Sequence, residues 1–132
     1  MIDIKLLREN PHFFRDSAKA KNIDIDVERI LELDRRVRSL KTELEGIKAQ
    51  KNEASKEITK ATPDQRKLVI ESMRHIDRRA ETLEAEYTPL ADELVDLMYK
   101  IPNPSLPDVK IGKSDAENEV VREVGDRTVL NF

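Results

Sequence analysis

The sequence predicts an all-α protein built around one long antiparallel two-helix coiled-coil hairpin, with short helices at its base and a proline-rich segment leading away. Three observations carry that reading. Two long stretches repeat apolar side chains at alternating intervals of three and four residues. Between them lies "ATPDQR", a helix-stop and helix-start signal. Charged residues make up 39% of the 132 residues against 4% aromatics and three glycines, a balance that suits exposed helices better than a thick core.

Residues 1–22 are expected to form small helices packed on the base of the hairpin. Asn10 is a natural N-cap there, with Pro11 at the first helical position, where its missing N–H costs nothing. Ile4, Leu6, Leu7, Phe13 and Phe14 are too apolar for a free tail and read as core.

Asp26 is the expected N-cap of the first long helix, placed over 26–61. Its seam runs Ile30, Leu33, Val37, Leu40, Leu44, Ile47, Lys51, Ala54 and Ile58. The second long helix, placed over 63–101, answers with Val69, Met73, Ile76, Ala80, Leu83, Tyr87, Leu90, Leu94, Leu97 and Ile101. A 3.5-residue period held over this length makes a stripe that an isolated helix cannot bury, so each stripe needs the other. Thr62-Pro63-Asp64-Gln65 reads as a capping box. A chain reversal between Pro63 and Asp64 would pair Ile58 with Val69, Leu44 with Leu83, Leu33 with Leu94 and Ile30 with Leu97. Lys51 then falls in the seam opposite Ile76, its stem packed and its ammonium snorkelling outward. Pro89 removes one helical hydrogen bond and is expected to kink the second helix near residues 85–89.

Residues 1–101 thus form a helical arm, and 102–132 a different segment. "IPNPSLPDVKIG" cannot stay helical and reads as a linker. "NEVVREVG" alternates enough to suggest a strand, and "DRTVLNF" offers no second strand to pair with it.

Composition narrows the chemistry. No cysteine and two histidines cannot supply an ordinary structural zinc site, and they suit a reducing cytoplasm. No signal-like or membrane-length apolar run is present, so secretion and membrane insertion are not expected. Neither a glycine-rich phosphate loop nor a nucleophile with its base can be found, so this chain is not expected to hold an active site. His12 and His75 lack partners that would tune them and read as exposed helix residues.

Charge distribution says more than its total. Residues 48–79 hold nine Lys/Arg against five Asp/Glu, a net of +4 in a chain whose net charge is −3. A basic tip on an acidic stalk has two readings. One is a solvated coiled-coil face laced with i,i+4 pairs. The other is a rest for an RNA backbone, recognised by shape and phosphate charge, since aromatic side chains for stacking on bases are absent from the tip.

"MIDIKLLRENP", "ERILELDRRVRSLKTELEGIKAQKNEASKEI" and "IPNPSLPDVKIGKSDAENEVVREVG" together resemble the amino-terminal arm of the seryl-tRNA synthetase family over nearly the whole chain. The prolines followed by "IGKSDAENEVVREVG" carry most of the specificity. The resemblance implies an arm that projects from a class II catalytic body and holds the long variable arm and elbow of serine tRNA. It implies a parent enzyme that ligates serine to tRNA with ATP and magnesium as a homodimer; the isolated arm, whose seam is satisfied within one chain, is expected to be monomeric. Catalytic motifs would then lie beyond Phe132, with 102–132 the linker and start of the catalytic domain. No membrane or DNA partner is implied. Phosphate partners are expected at Lys48, Lys56, Lys60, Arg66, Lys67, Arg74 and Arg78, with Arg38 and Lys41 in second rank. The competing reading is a coiled-coil structural or protein-interaction hairpin with no RNA role, which an apolar tip at Ile58, Leu68, Val69 and Ile70 would favour.

Overall fold

The computed structural model describes residues 2–125. Four α-helices follow in order: α1 (Ile4–Glu9), α2 (Pro11–Ala20), α3 (Val27–Lys60) and α4 (Pro63–Lys100). A single 3-10 turn, Asp115–Glu117, comes later. The 34 residues of α3 and 38 of α4 make a rod about 50 Å long at ~1.5 Å per residue.

Helices α1 and α3 start where an aspartate side chain satisfies one of the first free amides. Asp3 Oδ1 accepts from the Lys5 N–H at 2.9 Å, and Asp26 Oδ1 accepts from the Arg29 N–H at 2.8 Å. Asn10 holds the N-cap position of α2 with Pro11 next, as the sequence suggested, without a side-chain bond of its own. At the other end of α2, Asn22 takes a left-handed backbone (φ 55°) and the Ile23 N–H closes on the Ala18 carbonyl at 3.0 Å.

The two seams meet as the periodicity requires. Every seam position from Ile30 to Ile58 and from Val69 to Ile101 is buried or half-buried. Burial is deepest near the base, with Ile30 at 0%, Leu33 at 1%, Leu40 at 0% and Ile47 at 6% exposure. The reason lies below: α1 and α2 close the open end of the hairpin, so Leu7 and Phe14 join Val27, Ile30, Met98 and Ile101 in one core. Asp34, only 4% exposed, ties this base together, 3.5 Å from Arg8 Nε of α1 and 3.1 Å from Arg38 Nε. Arg15 of α2 pairs with Glu28 of α3.

Three expectations need adjustment. The reversal occurs at Ala61–Thr62, two residues earlier than the pairing scheme placed it, because α4 begins at Pro63 itself. The Lys51 ammonium does not reach freely into solvent; it meets Asp77 Oδ1 at 2.5 Å. At Pro89, where the sequence predicts a kink rather than an end, α4 runs unbroken. A strand does not form over 118–124, where Val120, Val121 and Val124 stand 75–96% exposed. A lone strand has no neighbour to satisfy its amides, so alternation by itself was insufficient. The "DRTVLNF" segment lies outside the described residues.

Candidate nucleic-acid interface

The tip is built by the turn between α3 and α4. A capping box forms, in which the Gln65 side-chain oxygen accepts from the Thr62 N–H at 3.0 Å and the Thr62 hydroxyl at 3.1 Å. Arg66 Nε donates to the Ala61 carbonyl at 3.0 Å, holding the guanidinium against the turn. This short link keeps the two helix ends side by side, so cations from both helices gather around one tip.

All seven first-rank cations, Lys48, Lys56, Lys60, Arg66, Lys67, Arg74 and Arg78, are exposed. Among the described residues only Lys56 of the seven has a carboxylate partner, Glu53 one turn away at 3.7 Å. Arg78 Nε donates to the Arg74 carbonyl at 3.4 Å and is otherwise open to solvent. Of the second-rank pair, Arg38 is engaged with the buried Asp34, whereas Lys41 makes no ion pair among the described residues.

Four other cations of the rod, Arg29, Arg36, Lys51 and Arg79, are committed, whereas Arg35 and Lys100 make no ion pair among the described residues. With Ile30 and Leu33 as a and d of a heptad, Arg29, Arg36 and Glu43 occupy successive g positions of α3. Glu93, Glu86 and Arg79 occupy g positions of α4. They pair in that order. Arg29 meets Glu93 in a two-pronged bond, Nε to Oε1 at 2.9 Å and Nη2 to Oε2 at 3.0 Å. Arg36 joins Glu86, and Arg79 lies 3.8 Å from Glu43. The bonds to Glu93, then to Glu32, hold the Arg29 proton more firmly than in an isolated arginine. Asp77 does the same for Lys51, chiefly by hydrogen bonding and then by charge, so Lys51 is raised above the ordinary lysine range.

Two of the nine tip cations, Lys51 and Arg79, are therefore neutralised across the hairpin, and the first-rank candidates are not. Heptad position sorts the rest. Lys41, Lys48, Lys67 and Arg74 fall at e and b positions, on the side away from the g-row ion pairs. The groove on this side is lined by Lys41, Lys48 and Lys51 of α3 together with Ala80, Glu84 and Tyr87 of α4. Sequence reasoning left Asp34 and the g-row pairs unremarked, although opposite charges at g positions one heptad apart are a readable signal. Among the described residues no group of three or more His, Cys, Asp or Glu could hold a metal ion. No helix among them is long and apolar enough to cross a membrane.

Residues 1–105 match the family model described as the seryl-tRNA synthetase N-terminal domain. The chain belongs to that family. Among curated relatives it is 35% identical to the serine–tRNA ligase of Dictyoglomus turgidum, covering all of this chain and 32% of that protein. It is 37% identical to the serine–tRNA ligase of Thermomicrobium roseum and 30% identical to that of Deinococcus radiodurans, again over the whole chain and 30% and 31% of those proteins. The chain spans about a third of the length of these curated relatives. For this seryl-tRNA synthetase N-terminal domain, the base helices α1 and α2 and the hairpin all fall inside the matched region, as do all the candidate cations.

Proposed function

We propose that the hairpin is a tRNA-holding arm, which grips the variable arm and elbow of serine tRNA by shape and phosphate charge. The parent ligase, a homodimer in the cytoplasm, would join serine to that tRNA using ATP and magnesium. The groups that bind ATP, magnesium and serine are expected outside this chain, whose own residues bind and orient RNA. The observation that carries the reading is the division of cations. Arg29, Arg36, Lys51 and Arg79 are committed to carboxylates across the hairpin, while Lys48, Lys60, Arg66, Lys67, Arg74 and Arg78 pair with none among the described residues. A solvated face laced with i,i+4 pairs would have neutralised the tip as well.

Binding should be weak and steeply salt-dependent, because neutralising phosphates releases counterions. Reversing Lys56, Lys60 and Lys67 together to Glu should weaken binding of serine tRNA by several kcal/mol at most, each exposed contact being worth on the order of 1 kcal/mol or less under screening. Removing the variable arm of the tRNA should weaken the native chain likewise. Unchanged affinity in the triple variant would reject the tip as the contact surface.

One observation favours a second reading. Leu68 is 69% and Ile70 45% exposed near the tip, so a protein-interaction hairpin has apolar side chains to offer. Under that reading Leu68→Ser with Ile70→Ser would abolish association with a protein partner and leave RNA affinity untouched.

A further inference from the structure

The apolar seam cannot fix its own register. Sliding α4 along α3 by one heptad, about 10 Å at ~1.5 Å per residue, sets another apolar residue opposite each seam position over most of its length. Something else must select the observed pairing. The short turn and the base core, where Leu7 and Phe14 pack with Met98 and Ile101, help, and the g rows supply a further, independent mark. In the observed register the three g-row pairs, Arg29–Glu93, Arg36–Glu86 and Glu43–Arg79, are all opposite in sign, with residue numbers that sum to 122 in each case. That constant sum means the register is kept without a skip from Arg29 to Glu43.

Slipping one heptad in either direction spoils the match. In one direction Arg29 faces Lys100 and Glu43 faces Glu86, leaving only Arg36 with Glu93 attractive. In the other, Arg36 faces Arg79 and Glu43 faces Ser72, leaving only Arg29 with Glu86 attractive. From base to tip the charges read Arg, Arg, Glu on α3 and Glu, Glu, Arg on α4, and the change of sign at Glu43 and Arg79 is what makes the pattern non-repeating. A uniform row of arginines facing glutamates would tolerate a slip.

We infer that Glu43 and Arg79 are positioning residues that specify the register of the hairpin, and so the height at which the tip cations stand above the base. Lys51–Asp77 reinforces the setting against one of the slips, in which Lys51 would face Ile70 instead. The inference goes beyond the RNA-holding reading and does not depend on it, since register is measured on the protein alone.

The test relaxes the turn by inserting a ten-residue Gly-Ser segment between Ala61 and Thr62 in the full chain. Spin labels are placed at Ser39→Cys and His75→Cys, both exposed, in a sequence without native cysteine. Double electron–electron resonance should give the same single distance with and without the insertion. In the relaxed background, Arg79→Glu makes Glu43 repulsive in the native register and turns the Arg36 clash of one slip into an attraction. The main population should therefore move to a distance roughly 5–8 Å shorter, because the axial step of about 10 Å combines with the fixed lateral separation of the helices. Glu43→Arg combined with Arg79→Glu restores the opposite-sign pair and should return most molecules to the native distance. Several distances in the relaxed native sequence, or an Arg79→Glu chain that keeps the native distance while circular dichroism reports native helicity, would overturn the inference. If Arg79→Glu loses its helicity, failure of the double variant to recover the native distance would do so too.

Discussion

Burial along the rod falls from base to tip, and this gradient makes a quantitative prediction. Leu40 is fully buried, so Leu40→Ala removes three carbons from a dry site, worth about 2.4 kcal/mol at ~0.8 kcal/mol per methylene. A two-helix seam is open at its flanks and can partly collapse, so the cavity term is small and the total should be about 3 kcal/mol, near the low end of large-to-small core changes. Ile58 sits in the same stripe near the turn but is only half-buried, and the same loss of three carbons there should cost about 1 kcal/mol. The two changes should also differ in reach. Leu40→Ala should lower the midpoint of global urea unfolding followed by circular dichroism. Ile58→Ala should chiefly reduce hydrogen-exchange protection over residues 50–76, because a tip without a third layer can open while the base stays packed. Equal shifts in the global midpoint for the two variants would refute the gradient.

Other expectations follow from the charged residues in the packed layers. Lys51→Met should be neutral or stabilising, whereas Asp77→Ala should destabilise by leaving the ammonium in the seam without its partner, as thermal unfolding would reveal. Because Asp77 raises Lys51, the pair's contribution is whole below the lysine pKa of the unfolded chain and is lost as pH rises through the higher folded value. The native chain should therefore lose stability faster than Lys51→Met above about pH 10. Asp34→Ala should cost about 1–3 kcal/mol and selectively expose α1 amides to exchange, since its carboxylate bridges Arg8 and Arg38. Asp26→Ala should cost about 1 kcal/mol in urea unfolding by freeing the Arg29 amide at the start of α3.

Much of the candidate interface was legible because net charge along a helix needs no partner to be read. The basic tip is a property of residues 48–79 however the helices pair. Commitment of each cation is a different matter. The apolar repeat puts Lys51 in the seam and Arg79 beside it, but only the neighbouring helix decides that they meet Asp77 and Glu43. Asp34 reads as one more carboxylate on a charged helix until α1 brings Arg8 over it. The alternation in 118–124 failed as a strand signal for the converse reason, since a strand is completed by a neighbour that the described residues do not provide.

The sequence by itself determined the elements that depend on local physics: a 3.5-residue apolar repeat compels two long helices to seek each other, and Asp26, Thr62, Pro63 and Gln65 mark where they start. Tertiary structure decided the matters that depend on distance between helices. It placed the reversal at Ala61–Thr62, paired the g rows in one register, and sealed the open end with Leu7 and Phe14. Hydrophobic burial is insensitive to which apolar residue lies opposite, so the periodic pattern leaves the alignment open; ion pairs and the turn are sensitive to position, and they close it.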